Sequence, residues 1–448
     1  MRMLLVTSSA RGHALADALY RSPQKPELIA VSPSRNPGIR RLAKEQHVMD
    51  IMDFPKLIDL AKKSTIDFAV IGPDDPIGGG LADELEKVDI PSVAPKKALA
   101  RLESSKGFTR DLMKKYNIDA SPQFFVLTRH ESGPSGRGNE DEIRTILNDL
   151  NGHYVVKYDG LKGGKGVKVS GEHLPTIDDG VAYALDCIEE GGRVVIEEKL
   201  IGIEFSRLAF VSGSSVVPMP AVQDHKRAFE GDTGPNTGGM GTYSDANHSL
   251  PFLTSDDLKQ ADVINQQIAD AVMKECGEPY KGILYGGFMA TKNGVKVIEY
   301  NARFGDPEAL NILPLLKSDF VTICQKIIDG SLTQKDVLFE NKATVCKYIT
   351  PKSYPDAKTE KGETVAFPFI PENARLYFGD ISENDDESLH LEGSRTAGIV
   401  GIADTIAESE SIAESLCEEV QGPVRFRKDI GTKKLIDARI AFMKKLRP

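Results

Sequence analysis

A chain of 448 residues with 40% apolar and 27% charged residues has ordinary globular usage and length for about three domains. Its formal charge of −10 and pI near 5.5 argue against bulk nucleic-acid binding, which needs basic surface, and no run approaches the roughly 18 apolar residues of a membrane span. The five cysteines (Cys187, Cys276, Cys324, Cys346, Cys417) form no C-x-x-C pair, the histidines form no H-E-x-x-H, and the apolar start is too brief for a secretory signal, so a soluble, cytoplasmic protein without a zinc site is expected.

The first hundred residues alternate strand and helix patterns. Residues 3–7, 27–32 and 68–72 are continuous apolar runs of strand length, while 14–20 and 81–88 have helical spacing. Buried parallel strands covered by helices have this pattern, so residues 1–105 are expected to form a doubly wound, Rossmann-like α/β domain. In such sheets ligands sit beyond the carboxyl ends of the strands. Those ends carry "TSSARGHA" (7–14) and "GPDDPIGGG" (72–80), neither of which is G-x-G-x-x-G. A helix over 104–116, Pro122 and a polar Gly/Ser-rich loop over 129–142 follow. Strands are predicted at 154–160, 194–202, 204–211 and 296–301, and helices over 256–275 and 319–330. From about 331, strands at 343–350 and 396–404 suit a small α+β or sandwich-like domain. Residues 224–243, "DHKRAFEGDTGPNTGGMGTY", hold five glycines and a proline, which predicts a long irregular segment that is neither helix nor ordinary strand.

Three stretches carry chemistry. "VVKYDGLKGGKGVKVS" (155–170) places Lys157 on a strand and Gly160, Gly163, Gly164 and Gly166 in a loop, where backbone N–H groups can close on phosphate and Lys157, Lys162 and Lys165 add charge. Gly166 follows Lys165 where a Walker A loop has Ser or Thr. A hairpin with a basic tip is the alternative. "IEEKLIGIE" (196–204) offers strand-end carboxylates for ribose hydroxyls and backbone for an adenine edge; such acids are otherwise simply solvated. In "VIEYNARFGDPEAL" (297–310), Glu299 and Asn301 share one face of a strand and present oxygen ligands for Mg²⁺ against phosphates. Arg303 then supplies a bidentate phosphate partner, and Asp306-Pro307-Glu308 opens a helix. This combination suggests phosphoryl transfer, the alternative being an edge strand with polar residues outward.

The order of "VVK.DGL..GKGV", "IEE.L.G.E", "DHKR...GDTGPNTGGMG.Y" and "IE.N.RFGDPE" resembles the ATP-grasp superfamily, and within it the phosphoribosylamine–glycine ligase family, along nearly the whole chain to "VRFRKDIG" (424–431). The resemblance implies an N-terminal Rossmann-like (pre-ATP-grasp) domain over 1–105. An ATP-grasp domain of two α+β subdomains follows over 106–330, with a lid at about 120–195, and a small C-terminal α+β/β domain over 331–448. It implies ligation of glycine to 5-phosphoribosylamine with ATP and Mg²⁺ (or Mn²⁺), through glycyl phosphate, giving glycinamide ribonucleotide, ADP and phosphate in purine biosynthesis.

By the same resemblance Lys106 and Lys157 contact ATP phosphates or the base region, and Gly160, Gly163, Gly164, Lys165 and Gly166 cover the phosphates. Glu197, Glu198, Lys199 and Leu200 line the adenine pocket, and Glu204 binds ribose. Glu299 and Asn301 hold the metal, and Arg303, Asp224, Lys226 and Asp306 act at the reacting groups. Arg11, His13, Arg227, Asp232, Thr233, Gly234, Pro235, Asn236, Gly238 and Gly239, with Asp224, Lys226 and Asp306, gather glycine and phosphoribosylamine. A closing lid is expected, because water hydrolyses both the acyl phosphate and the amine. The chain is expected to act as a monomer or weak homodimer without nucleic acid or membrane.

The sequence departs from the family pattern in three places. "SSARGHA" keeps Arg11, His13 and Ala14 of the usual G-x-G-x-R-E-H-A loop, residues 283–294 lack a second acidic metal ligand, and "CKYITPKSYP" (346–355) replaces a more glycine-rich stretch. The rivals are a biotin-dependent carboxylase, a formate- or bicarbonate-using purine relative, and a catalytically dead nucleotide-binding protein. Positions 224–243 and 303–308 speak against the first, and "DTGPNTGGMG" (232–241) speaks against the second. Retention of Lys157, Glu299, Asn301 and Arg303 speaks against the third.

Overall fold

A computed structural model describes residues 1–129, 138–162 and 165–448. Gly163, Gly164 and most of the predicted 129–142 loop lie outside the described residues.

The apolar runs at the start become β1 (Arg2–Val6), β2 (Glu27–Ser32), β3 (Glu45–Val48), β4 (Phe68–Ile71) and β5 (Ser92–Val93). They form a wholly parallel sheet in the order β3-β2-β1-β4-β5. Met3–Val6 are fully buried because helices cover both faces of the sheet, which explains their unbroken hydrophobicity. The strand order reverses between β1 and β4, so the crevice beyond their carboxyl ends is a ready ligand site. Ser8, Ser9, Arg11 and Asp74 sit there.

A second sheet is antiparallel: β6 (Phe124–Thr128), β7 (Tyr154–Tyr158), β8 (Val167–Val169) and β9 (Arg193–Glu198), ordered β6-β9-β7-β8. The helices Gly138–Asp149 and Ile177–Gly191 pack on it around Leu147, Val156, Ile188 and Ile196, giving this part of the chain its own core.

The largest sheet contains β10 (Gly202–Ser212), β11 (Ser215–Asp224), β14 (Gly241–Ser244), β15 (Lys281–Thr291), β16 (Gly294–Asn301), β17 (Ala343–Pro351), β19 (Ala374–Phe378) and β22 (Ala397–Ala403). Its order is β16-β15-β10-β11-β14-β17-β22-β19, with β23 (Val424–Arg425) pairing β17. The sheet therefore runs through residue 331 without a break, since β14 and β17 pair directly. The short strands β18 (Thr364–Val365), β20 (Ile381–Glu383) and β21 (Leu389–Leu391) make a separate three-stranded sheet. Among the described residues no helix is long and apolar enough to cross a membrane.

The segment 224–243 corrects the expectation of wholly irregular chain. It contains a hairpin of β12 (Arg227–Phe229) and β13 (Thr233–Asn236), with Arg227 opposite Asn236, before the chain enters β14. Backbone pairing needs no apolar side chains, so composition concealed it. The turn is made by Glu230, Gly231 and Asp232, the last two at positive φ, and Gly234 at the start of β13 is at positive φ as well.

Candidate active site

A cavity of about 670 Å³ lies where the three main sheets meet. Its floor is the end of β16. Opposite Gly287 and Phe288 the register of β15 and β16 shifts, so Ile298 bulges and its carbonyl leaves the ladder. Glu299 and Asn301 follow, and both side chains line the cavity, as their two-residue spacing predicted. Asn301 makes no side-chain hydrogen bond among the described residues.

Burial pushes the Glu299 carboxyl up, but Lys226, Lys106, Lys157 and Arg303 outweigh it and hold the group down at about 2. The Lys226 ammonium stands 3.7 Å from Glu299 and 3.6 Å from Glu204. Lys106, at the start of its helix, donates to the Gly160 carbonyl at 3.1 Å and so touches the predicted phosphate loop. Gly160 and Gly166 line the cavity. Lys157 donates to the Ile298 carbonyl at 3.0 Å and pairs with Glu197 at 2.7 Å.

Beyond the floor, Arg303 pairs with buried Glu103 at 2.9 Å, and Glu103 also accepts the Ala302 N–H at 2.8 Å. Asp306 accepts hydroxyl protons from Ser9 and Tyr348, each at 2.5 Å, and lies 3.3 Å from Arg395. Burial raises its pKa, yet Arg395, Arg11 and these hydroxyls hold it below the ordinary carboxylate range. Asp224 behaves oppositely. Burial and the Glu308 carboxylate push its pKa well up against the pull of Lys226 and Arg395. Glu308 accepts from Ser206 at 3.0 Å and Tyr285 at 2.9 Å.

Arg11, Arg227, Asp232, Asn236 and Gly238 line the cavity, as do Glu198, Lys199, Leu200 and Glu204. Several side chains are already engaged. Asp232 is held by Arg427 at 3.0 Å and by Arg439, Arg227 pairs with Glu172, and Lys199 pairs with Glu172 at 3.0 Å. Glu198 accepts the Gln123 N–H at 2.9 Å.

Other predicted residues are not in the cavity wall. His13 is buried under the C-terminal segment: its Nδ1 accepts the Phe378 N–H at 2.9 Å and its ring stacks on Phe378. Burial and nearby Arg41 lower its pKa to about 3. Thr233, Gly234 and Pro235 form the exposed outer strand of the hairpin, and Lys165 is exposed at the loop tip. Gly239 lies behind the wall, against Asp224 and Pro307.

Comparison with known proteins gives the frame for this site. Residues 1–103 match the N domain of phosphoribosylglycinamide synthetase and residues 104–309 match its ATP-grasp (A) domain. A phosphoribosylamine–glycine ligase from Methanocorpusculum labreanum is 46% identical, with each chain covered completely. The chain belongs to the phosphoribosylamine–glycine ligase family. A crystal structure of a phosphoribosylamine–glycine ligase from Thermotoga maritima superposes with a TM-score of 0.77 at 29% identity, covering 96% of this chain and all of the other. The biotin carboxylase domain of a Hydrogenobacter thermophilus 2-oxoglutarate carboxylase matches with a TM-score of 0.71 at 14% identity, covering 99% and 93% of the two chains, and shares the fold alone.

Sequence motifs of the phosphoribosylamine–glycine ligase family did not point to Glu103, Asp74, Arg395 or Arg439, which also line the cavity. No signal in the sequence singled them out, since folding alone brings them to Arg303, Asp306 and Asp232.

Proposed function

We propose that this cavity joins glycine to 5-phosphoribosylamine with ATP, releasing glycinamide ribonucleotide, ADP and phosphate. The observation carrying this reading is the meeting of an ionised Glu299 and an unengaged Asn301 with four cationic side chains, under the hairpin of the glycine-rich segment. The close relatives bear the matching name.

Glycine's carboxylate has no adequate leaving group, so its oxygen first attacks the γ-phosphorus of ATP, giving glycyl phosphate and ADP. The ribosylamine nitrogen then attacks the acyl carbon, expelling phosphate and losing one proton. Lys106, Lys157, Lys226 and Arg303 surround the charge that spreads over the transferring phosphoryl group. Asp224, which lines the cavity and whose proton affinity burial and Glu308 raise, is assigned here as the acceptor of the amine proton. Arg303 is fixed by Glu103, and Asp306 by Ser9, Tyr348 and Arg395, so these groups are oriented before substrate arrives.

The donor set also fits Mg²⁺ or Mn²⁺. Glu299 and Asn301 offer two hard oxygens with open positions for phosphate and water, and among the described residues no cluster of three acidic, histidine or cysteine side chains forms a self-sufficient metal site. Bound there, the ion would neutralise phosphate charge. The assay is ADP release from purified protein given Mg-ATP, phosphoribosylamine and glycine, with loss of release when glycine is omitted. Release that bicarbonate or formate supports and glycine does not would overturn the assignment.

A further inference from the structure

Arg110 lies outside the cavity wall, on the helix Lys106–Lys115, and is 2% exposed. Its Nε and Nη2 clamp the two oxygens of Glu197 at 2.6 and 3.1 Å. Nη2 also donates to the carbonyls of Val297 and Ile298, each at 2.9 Å. Lys157 completes the cluster, reaching the same Glu197 oxygen as Nη2 at 2.7 Å and the same Ile298 carbonyl at 3.0 Å. The cluster thus ties together a helix, the lid strands β7 and β9, and, through the two cations, the bulge that immediately precedes Glu299.

Stability does not account for the arrangement. The cluster packs Arg110, Lys157 and Glu197 in a desolvated place with Glu299 the next anion to act on Lys157, and buried ion clusters rarely repay their desolvation. A polyanion arriving at the cavity would find the Lys157 ammonium already held in place. The planar fork of arginine sets the plane of the carboxylate, which a lysine at the same position would not do. It confines Lys157 to one Glu197 oxygen and leaves the other with a single partner.

We infer that Arg110 is a positioning residue for the nucleotide, acting through Glu197 to aim the Lys157 ammonium and through the bulge carbonyls to seat Glu299. The inference rests on the reading that ATP occupies the Lys157 side of the cavity. It predicts a nucleotide-selective defect in Arg110→Met: the Kd for ADP and the KM for ATP rise by roughly 10- to 100-fold, the range seen when a group orienting a ligating side chain is removed. The KM for glycine stays within about twofold, the mark of an undisturbed second site. Arg110→Lys recovers part of the loss, because charge returns without the fork.

The experiment is calorimetric titration of the full chain and both variants with Mg-ADP, beside ATP and glycine saturation curves. Folding is verified by a cooperative urea transition. A folded variant that binds ADP like the parent overturns the inference, as does an equal rise in the ATP and glycine constants. If Arg110→Met does not fold, Arg110→Lys decides: weakened ADP binding with an unchanged glycine KM supports the role, and unchanged ADP binding refutes it. Calorimetry needs neither glycine nor ribosylamine, so parent protein that fails to bind ADP at all would remove the nucleotide reading itself, whereas equal binding by parent and variants removes only the role of Arg110.

Discussion

Replacing Glu299 by Gln keeps the shape of the side chain and removes the negative charge on which Lys226, Lys106, Lys157 and Arg303 converge. A carboxyl held at about 2 instead of its ordinary 4.5 corresponds to roughly 3 kcal/mol of favourable interaction with its surroundings. The side chain is 28% exposed, so solvent screening makes this a ceiling. Because the folded value is depressed, the contribution is complete above the unfolded value and is lost as pH falls through 4.5 towards 2. Glu299→Gln is therefore expected to unfold at lower urea concentration than the parent at pH 7, with the difference narrowing below pH 4.5 and vanishing near 2. Turnover should fall by roughly two to three orders of magnitude, because a ligand charge opposite the phosphates is lost. Urea titrations at several pH values and ADP release at saturating Mg-ATP measure the two effects. Equal stability at pH 7 would refute the electrostatic reasoning, and near-parental turnover would refute the metal-ligand role.

Two further predictions use the same preparations. Gly239 has a φ of 113°, and a Cβ there would lie 2.6 Å from both the Asp224 carboxylate and the Pro307 ring, so Gly239→Val should displace the wall of the cavity. The expected result is a loss of kcat/KM of about 100-fold or more, typical of misplaced reacting groups, in a protein that still unfolds cooperatively; global unfolding would mean that the segment is structural. His13 is held neutral down to about 3, so the unfolded chain takes up its proton first, and stability drains away as pH falls from 6.5 towards 3 by roughly 1.4 kcal/mol per unit. His13→Gln should remove that slope, and parallel stability curves for variant and parent between pH 7 and 4 would contradict it.

The sequence revealed what depends on neighbours along the chain. The strand carrying Glu299 and Asn301 needed only two-residue alternation, and the buried β1, β2 and β4 needed only unbroken apolar runs. Partners brought together by folding were invisible. Glu103 precedes Arg303 by two hundred positions, and Arg395 approaches Asp306 from the far end of the chain, yet each makes a close ion pair. His13 shows the converse. A motif match placed it with the substrates, while its position on the helix Ser9–Tyr20 turns it toward Phe378. The hairpin within 224–243 escaped because its strands are held by backbone pairing and by Asp232, not by an apolar face.

The pairing of β14 with β17 also bears on how the protein is born. β14 ends at Ser244 and its partner begins only at Ala343, so during synthesis the middle of the largest sheet waits with an open edge while about a hundred further residues are made. The anchors of the hairpin come later still: Arg425 donates to the Ala228 carbonyl, and Arg427 and Arg439 hold Asp232. The hairpin is thus made some two hundred residues before the side chains that anchor it, and segment 224–243 takes its final position only once residues 425–439 have been synthesised.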